Sequence, residues 1–287
     1  MVHGGAKAIA PARRQAHRDG LQAAVGAGVA VLRAGGSALD AAEQTIRVLE
    51  DLPAFNAGYG SVLNADGAVE MDAALMDGVD LRIGAVGAIR GVRHPISVAR
   101  ALMAETPVLL VGEGARRFAL EAGLELCDPG DLIAPEQDGE EIGADTVGCV
   151  VRDREGILVA GTSTGGLAGK RPGRVGDSPL PGCGLYAQAG IGGVSLSGDG
   201  DKIARVLLAA RIIQGLAEGS TASGAANRSL RAMDQVGGEA GAIVLDREGR
   251  LGCAHNSPDF AMGGACEARP EPTTWLHQRE FHEATDV

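Results

Sequence analysis

The sequence contains 287 residues, of which 45% are hydrophobic, and carries a formal net charge of −11. This length provides a substantial core for one large or two small domains, while the acidic charge and the lack of a basic run exclude the phosphate-binding surface of a nucleic-acid-binding protein. No stretch reaches about 18 consecutive apolar residues, so neither a transmembrane helix nor a membrane partner is predicted.

Helical patterns dominate the first fifty residues. Apolar residues recur at helical spacing from about residue 12 to residue 32, and a glycine pair then marks the end of this first predicted helix. Ser37 and Asp40 form the S-x-x-D pattern of a capping box, which predicts the start of a second helix that ends before Pro53. The two helices are expected to pack together.

After the second predicted helix, the sequence pattern changes from predicted strands to predicted helices and then to a polar linker. The stretch "FNAGYGSVLNADGAVEMDAALMDG" combines a glycine-rich loop with short alternating strands that turn at "NADG". The stretches "RHPISVARALMAETP" and "GEGARRFALEAGL" again have helical patterns. The polar stretch "CDPGDLIAPEQDGEEIGAD", rich in proline, glycine and acidic residues, is the strongest linker candidate in the chain.

The second half contains two similar predicted hairpins. The stretches "VGCVVRDREGILVAG" and "AGAIVLDREGRLGCA" align around a shared "DREG" turn, and two helical segments, "GDKIARVLLAARIIQGLAEG" and "TASGAANRSLRAMDQVG", lie between them. Helices before and between the strands favour an α/β sandwich over a barrel or a bundle. A doubly wound nucleotide-binding fold is not favoured, because "GIGGVSLSG" lacks the G-x-G-x-x-G spacing.

The cysteines and histidines indicate neither a disulfide framework nor a metal centre. Five cysteines are widely spaced without a CxxC pair, and the first residues lack a signal-peptide pattern, which together predict a reducing, cytoplasmic location. His277 and His282 do not have the spacing of a zinc-binding H-E-x-x-H motif.

A threonine that directly follows an acidic residue raises the possibility of nucleophilic chemistry. Thr146 stands at the start of a predicted buried strand, where a β-branched residue also serves a purely structural role. A threonine hydroxyl needs a base, and cleavage of the Asp145–Thr146 bond would supply one. The new α-amino group, with a pKa of about 8, would accept the hydroxyl proton.

Several motifs together resemble a known family. "DTVGCVV", "GTSTGG", "GRVGDSPLPGCGLYA" and "SGDGD", in this order, resemble the N-terminal-nucleophile (Ntn) family of plant-type L-asparaginases and isoaspartyl peptidases, and "HGG" and "FNAGYGS" extend the similarity to the first half. The resemblance implies a four-layer αββα sandwich formed by one domain over residues 1–287. It also implies self-cleavage into an α chain, 1–145, and a β chain, 146–287, and a homodimer of the cleaved units.

The resemblance implies catalytic roles for four residues. Thr146 matches the nucleophile, and Thr164 matches a hydroxyl that hydrogen-bonds the nucleophile. The alternative for Thr164 is that its hydroxyl only satisfies local backbone groups in a turn. Ser197 and Gly198 match an oxyanion hole made of one hydroxyl and one backbone N–H. The family usually has threonine in place of Ser197, and the lost methyl group leaves the hydroxyl less well fixed, so a reduced rate is expected.

Substrate-binding roles follow in the same way. Arg174 matches the residue that holds the substrate α-carboxylate and Asp177 the one that accepts bonds from its α-ammonium, as their charges allow. The alternative is that these two residues form only a surface ion pair. The further predicted binding residues are Asn56, Val175, Gly176, Asp199 and Gly200.

No organic cofactor is predicted, and a structural sodium ion is implied by the resemblance alone. The carbonyl groups expected around it belong to Leu49, Glu50, Leu52, Phe55, Ala57 and Tyr59.

The predicted activity is hydrolysis of the β-amide of L-asparagine or of β-aspartyl dipeptides. Asp145, "PGCGLYA" and "GDGD" also resemble the glycosylasparaginase branch, which acts on N4-glycosyl-asparagine, but Gly166 stands where that branch typically has asparagine. Two functions of a different class stay open. One is a non-catalytic, precursor-like member that binds acidic amino acids, and the other is a nucleotide-binding enzyme, which only the abundance of glycine favours.

Overall fold

A computed structural model of the chain describes residues 1–134 and 145–285. The α-helices in these ranges are α1 (Arg14–Arg33), α2 (Ala38–Glu50), α3 (Pro95–Leu102), α4 (Gly112–Glu121), α5 (Gly200–Val206), α6 (Leu208–Ala217), α7 (Ala222–Leu230) and α8 (Gln278–Thr285). The strands are β1 (Val2–His3), β2 (Met71–Asp77), β3 (Ile83–Ile89), β4 (Leu109–Val111), β5 (Val147–Arg152), β6 (Leu158–Thr164), β7 (Leu185–Gln188), β8 (Gly192–Gly198), β9 (Ala240–Asp246), β10 (Leu251–His255), β11 (Met262–Cys266) and β12 (Arg269–Trp275).

The strands form two sheets that are stacked face to face. The larger sheet has the order β12-β11-β1-β5-β6-β2-β3-β4 and is antiparallel except for the β3–β4 pair, and the smaller has the antiparallel order β10-β9-β8-β7. Strands β5 and β6 contact β7, β8 and β9 across the interface. Helices α1, α2 and α3 cover the outside of the larger sheet, while α6 and α7 cover the smaller. The predicted αββα sandwich is therefore confirmed.

Glycine allows the two sheets to approach closely. A Cβ atom at Gly148 of β5 would overlap the Ser195 hydroxyl of β8, and a Cβ at Gly193 would lie 2.6 Å from Val150 Cγ1. The buried side chains between the sheets are otherwise mostly Ala, Val, Leu and Ile. The two sheets thus pack through short distances between their backbones around a core with few aromatic rings.

The predicted start of the second helix is confirmed by its cap. The Ser37 hydroxyl accepts from the Asp40 N–H at 3.1 Å, and the Asp40 carboxylate accepts from the Ser37 N–H at 3.2 Å. These two bonds satisfy backbone donors that the helix cannot satisfy itself, and an N-cap of this kind typically contributes about 1 kcal/mol. Helix α2 then buries Ile46 and Leu49 in the core cluster beside β5 and β6.

The two "DREG" turns have the same hydrogen-bond pattern. Asp153 Oδ1 accepts from the N–H groups of Glu155 and Ile157, each at 3.0 Å. Asp246 Oδ1 repeats this pattern with two following N–H groups at 3.0 and 2.9 Å. The two predicted hairpins, β5–β6 and β9–β10, are confirmed, and each turn is stabilised by its own aspartate.

The predicted helical segment from residue 200 to residue 219 differs in one respect. It is broken at Leu207, which has a left-handed backbone with φ of 53° and separates α5 from α6. The N–H groups of Ala209 and Ala210 donate to the carbonyls of Cys183 and Gly182. The start of α6 therefore packs onto the turn that contains Gly182 and Cys183. This is a tertiary contact that the helical pattern does not encode.

The predicted linker lies only partly within the described residues. Residues 129–132 form a short 3-10 helix, and Leu132 is fully buried, so this part packs against the domain. Residues 135–144 of the predicted linker lie outside the described residues. None of the helices described at 1–134 and 145–285 has both the length and the apolar character required to cross a membrane.

Candidate active site

The ends of three strands from both sheets bring the predicted catalytic residues together. Thr146 immediately precedes β5, and Thr164 ends β6, whose neighbouring Ser163 pairs with Val147. Since β5 and β6 are antiparallel, the start of one lies beside the end of the other. Ser197 lies at the end of β8 on the facing sheet, and its hydroxyl accepts from the Thr146 N–H at 3.2 Å.

The carbonyl oxygen of Asp145 lies between two side-chain donors. The Thr164 hydroxyl donates to it at 2.6 Å and Asn56 Nδ2 donates at 3.1 Å. The Thr164 oxygen accepts in turn from the Gly166 N–H at 2.9 Å, which fixes the direction of its proton. Both side chains are buried, so their dipoles act on the Asp145–Thr146 peptide bond with little screening by water.

The hydroxyl group of Thr146 is held by a residue that was not among the predicted site residues. Its Oγ1 lies 3.2 Å from Ser178 Oγ, and the Ser178 carbonyl accepts from the Thr162 hydroxyl at 2.7 Å. Ser178 is 2% exposed. The available sequence signal was its position directly after Asp177 in the "GRVGDSP" motif.

The carboxylate of Asp145 is also part of this site. Its Oδ1 accepts from the Thr146 N–H at 3.1 Å, and its Oδ2 forms an ion pair with Lys7 Nζ at 2.7 Å. Burial raises the pKa of Asp145, while the Lys7 ammonium acts in the opposite direction. Gly5 lies beside this carboxylate, and a Cβ atom there would overlap Asp145 Oδ1. Lys7 was not predicted, because its partner is remote in sequence.

The Gly5→Ala variant is expected to be less stable by about 2–4 kcal/mol, because a methyl group would add a clash with Asp145 to an unfavourable backbone with φ of 114°. Urea unfolding of the uncleaved chain measures this loss. The matched control is Gly67→Ala, which has φ of 74° but no atom within 4 Å of the added Cβ, so it should lose only about 1–2 kcal/mol. Equal losses for the two variants would contradict the steric argument.

Arg174 and Asp177 do not form a surface ion pair with each other. Asp177 is 4% exposed, and Arg174 Nη2 instead pairs with Asp201 at 3.0 Å. Among the described residues, Arg174 Nε and Asp177 Oδ2 are buried without a hydrogen-bond partner. Burial raises the pKa of Asp177 to about 7, and the Arg174 guanidinium opposes this shift. A ligand with a carboxylate and an ammonium group would satisfy both side chains.

Three predicted glycines lie where an added side chain would closely approach or overlap neighbouring groups. An added Cβ at Gly200 would lie 2.5 Å from Asp177 Oδ1, and one at Gly176 would lie 3.1 Å from the Arg174 guanidinium nitrogens. At Gly198, where φ is 142°, an added Cβ would overlap the Glu239 carbonyl. The backbone therefore approaches the site more closely than any other residue type would permit.

Two of the predicted binding residues use their side chains elsewhere. Val175 packs toward Gly87 of β3, where an added Cβ would lie 3.0 Å from Val175 Cγ2. The Asp199 carboxylate accepts from the Glu239 N–H at 3.1 Å and from Lys202 Nζ at 3.1 Å. Asp199 thus connects the start of α5 to a neighbouring loop.

A buried lysine adds to the positive charge near Arg174. An added Cβ at Gly166 would lie 2.8 Å from Lys170 Nζ and 3.4 Å from Arg174 Nη1. Lys170 donates to the Glu70 carbonyl at 2.8 Å, and burial lowers its pKa while Asp72 acts to raise it. Lys170 was not predicted as a site residue.

Comparisons with known proteins give matches over most of the chain. The family described as asparaginase matches residues 1–138 and 131–270. The isoaspartyl peptidase/L-asparaginase of Rattus norvegicus is 42% identical over 267 residues, which cover 87% of this chain and 80% of the relative. The protein of the same name from Bos taurus is 42% identical over 288 residues, which cover 94% of this chain and 93% of the relative. The isoaspartyl peptidase of Salmonella typhimurium is 40% identical over 310 aligned positions, which cover 96% of this chain and 97% of the relative.

Proposed function

Because the chain belongs to the asparaginase family and is a hydrolase, we propose that it cuts itself before Thr146 and then hydrolyses the β-amide of L-asparagine or β-aspartyl dipeptides. The main support is the Asp145 carbonyl, which receives hydrogen bonds from Thr164 and Asn56 beside the Thr146 hydroxyl. The names of the rat and bovine relatives include both activities.

In the proposed self-cleavage, Thr146 Oγ1 attacks the carbonyl carbon of Asp145. Negative charge develops on the carbonyl oxygen, where the Thr164 hydroxyl and the Asn56 amide donate. The C–N bond then breaks, the nitrogen takes up the proton that the Thr146 hydroxyl gives up, and the Asp145 acyl group becomes an ester of Thr146. Water hydrolyses this ester to give chains 1–145 and 146–287, which together keep the single domain proposed for residues 1–287.

In the proposed turnover, the new amino group of Thr146 accepts the proton of its own hydroxyl. Oγ1 attacks the β-carbonyl carbon of the substrate, and the oxyanion is stabilised by the Ser197 hydroxyl and the Gly198 N–H. The leaving amine takes up the proton, so ammonia or an amino acid departs. Water then hydrolyses the acyl-threonine, which releases aspartate and regenerates the hydroxyl.

Arg174 and Asp177 are proposed to hold the aspartyl part of the substrate. The guanidinium binds the α-carboxylate, and the Asp177 carboxylate accepts from the α-ammonium. The support is that both side chains carry buried polar atoms without partners among the described residues. Asn56, Gly176 and Gly200 are proposed to shape the same pocket. For Asp199 and Val175 only a backbone contribution is proposed, because their side chains are engaged elsewhere.

Product inhibition is expected to depend on pH through Asp177. Its pKa of about 7 means that it is neutral at low pH and charged above pH 7, where it attracts an ammonium. The ratio of the inhibition constants of succinate and L-aspartate should therefore rise about tenfold from pH 6 to pH 8 and then level off. Both ligands carry two carboxylates, so other titrations largely cancel in this ratio. A ratio that stays constant with pH, as expected for Asp177→Asn, would contradict this assignment.

The central experiment combines intact-mass analysis with two product assays, ammonia from asparagine and leucine from β-aspartyl-leucine. Fragments ending at Asp145 and beginning at Thr146, together with turnover of either compound, are the expected result. An intact chain that binds aspartate without turnover would instead favour a precursor-like binding protein. Cleavage without either activity would favour N4-glycosyl-asparagine as the substrate.

A structural sodium ion is also proposed for the loop after α2. The Glu50 carbonyl accepts from the Tyr59 N–H at 2.7 Å and the Leu52 carbonyl accepts from the Phe55 N–H at 3.2 Å, so the loop folds back on the helix end. Each carbonyl keeps a second lone pair for a cation. The midpoint of thermal unfolding should be higher in sodium chloride than in choline chloride at equal ionic strength. Equal midpoints would contradict the proposal.

The proposed assembly and location are a homodimer of cleaved units in the cytoplasm. All five cysteines are free thiols in the structure, which supports a reducing compartment. The dimer is supported by the family resemblance alone.

A further inference from the structure

The ion pair between Lys7 and Asp145 joins the N-terminal segment to the proposed cleavage site. Lys7 Nζ lies 2.7 Å from Asp145 Oδ2, and the Asp145 side chain is fully buried. The Lys7 side chain is 17% exposed. The ammonium therefore bridges from solvent to a buried carboxylate, whose desolvation it offsets.

This ammonium also lies beside the proposed machinery for turnover. The N–H of the preceding residue, Ala6, donates to Ser197 Oγ at 3.1 Å. The same oxygen accepts from the Thr146 N–H at 3.2 Å, and that N–H also donates to Asp145 Oδ1 at 3.1 Å. Lys7, the nucleophile and the proposed oxyanion donor thus form one compact group.

Cleavage removes the covalent bond that keeps Asp145 in this position. Asp145 becomes the last residue of the α chain, and substrate access to Thr146 requires it to move away from Thr164, Asn56 and the Thr146 nitrogen. Its departure leaves the Lys7 ammonium without its carboxylate beside the nucleophile. An ammonium in a partly buried position favours another carboxylate in place of the first.

We propose that Lys7 in the cleaved enzyme binds the carboxylate of the departing amino acid in a β-aspartyl dipeptide, an inference that rests on the proposed function. In such a dipeptide, the aspartyl group has its own α-carboxylate for Arg174, and the leaving residue carries a second one. Asparagine releases ammonia and has no carboxylate on this side. Lys7 therefore favours β-aspartyl dipeptides with a free C-terminal carboxylate over asparagine.

The test compares kcat/KM for β-aspartyl-leucine, β-aspartyl-leucinamide and asparagine. The wild-type enzyme is expected to prefer the free acid to the amide about tenfold, which is the effect of one charge-assisted contact. Lys7→Met should remove this preference and should lower the ratio of β-aspartyl-leucine to asparagine turnover by a similar factor. The control, Arg14→Met, removes a cation of the same segment that pairs with Asp259, so its ratios should equal those of the wild type.

Equal kcat/KM values of the wild-type enzyme for the acid and the amide would overturn the role of Lys7, even if Lys7→Met fails to cleave. A preference that persists in cleaved Lys7→Met would do the same. Neither result affects the proposed function, since turnover continues in both. Complete cleavage without turnover of any of the three compounds would instead overturn the proposed function and this inference with it.

Discussion

The Thr146→Ala variant is expected to remain a single chain and to lose hydrolysis by at least about 10³-fold, because neither self-cleavage nor turnover has another nucleophile at this position. In the structure, the Thr146 hydroxyl contacts Ser178, and the adjacent Asp145 carbonyl is polarised by two donors. Removing the hydroxyl and the γ-methyl group of Thr146 leaves these surrounding contacts to the Asp145 carbonyl in place. Intact-mass analysis and the ammonia assay measure the two losses separately.

A suitable control for this variant is Thr45→Ala. Thr45 is a threonine of α2 that is 2% exposed, so its replacement also removes a buried hydroxyl. This control should be cleaved and active. Thr146→Ser should likewise be cleaved, because the hydroxyl is retained. Cleavage at the same bond together with turnover in Thr146→Ala would refute the assignment of the nucleophile.

The Arg174→Met variant is expected to lower kcat/KM by about 10²–10³-fold, because the partly buried charge partner proposed for the substrate carboxylate is removed and the carboxylate is left unpaired. Self-cleavage should continue, since the Asp145–Thr146 bond is held by Thr164 and Asn56 instead. Steady-state kinetics together with intact mass distinguish these effects. Arg174→Lys should also be impaired, because an ammonium lacks the paired donors of the guanidinium.

The ion-pair partner of Arg174 provides the control. Asp201 is 62% exposed at its side chain and pairs with Arg174 at 3.0 Å. Exposed ion pairs contribute little, so Asp201→Asn should change kcat/KM by less than about threefold. A loss in Asp201→Asn as large as that in Arg174→Met would show that Arg174 acts through this pair rather than on the substrate.

Local patterns predicted the elements that depend on local chemistry. The capping box at Ser37 and the two "DREG" turns were correct because the side chains involved bond to backbone groups within four residues. The break at Leu207 was not predicted, because it results from docking α6 onto a turn that is distant along the chain.

In the candidate active site too, contacts between distant segments were not predictable from local patterns. Motifs placed Thr146, Thr164 and Ser197 together, and the structure brings them together. Ser178 and Lys7 were not predicted because their contacts depend on how β5, the N-terminal segment and the loop after β6 meet in three dimensions. Local patterns in a single sequence do not predict these tertiary contacts.

The order of strands in the larger sheet determines what self-cleavage would do to the assembled protein. Read across that sheet, β12 and β11 belong to the second fragment, β1 to the first, β5 and β6 to the second, and β2, β3 and β4 to the first. The two products are therefore interleaved, and three strand pairs join them. They cannot separate without unfolding the sheet. Once unfolded, however, the fragments would have to find each other by diffusion, so the covalent cut would turn a unimolecular folding reaction into a concentration-dependent assembly.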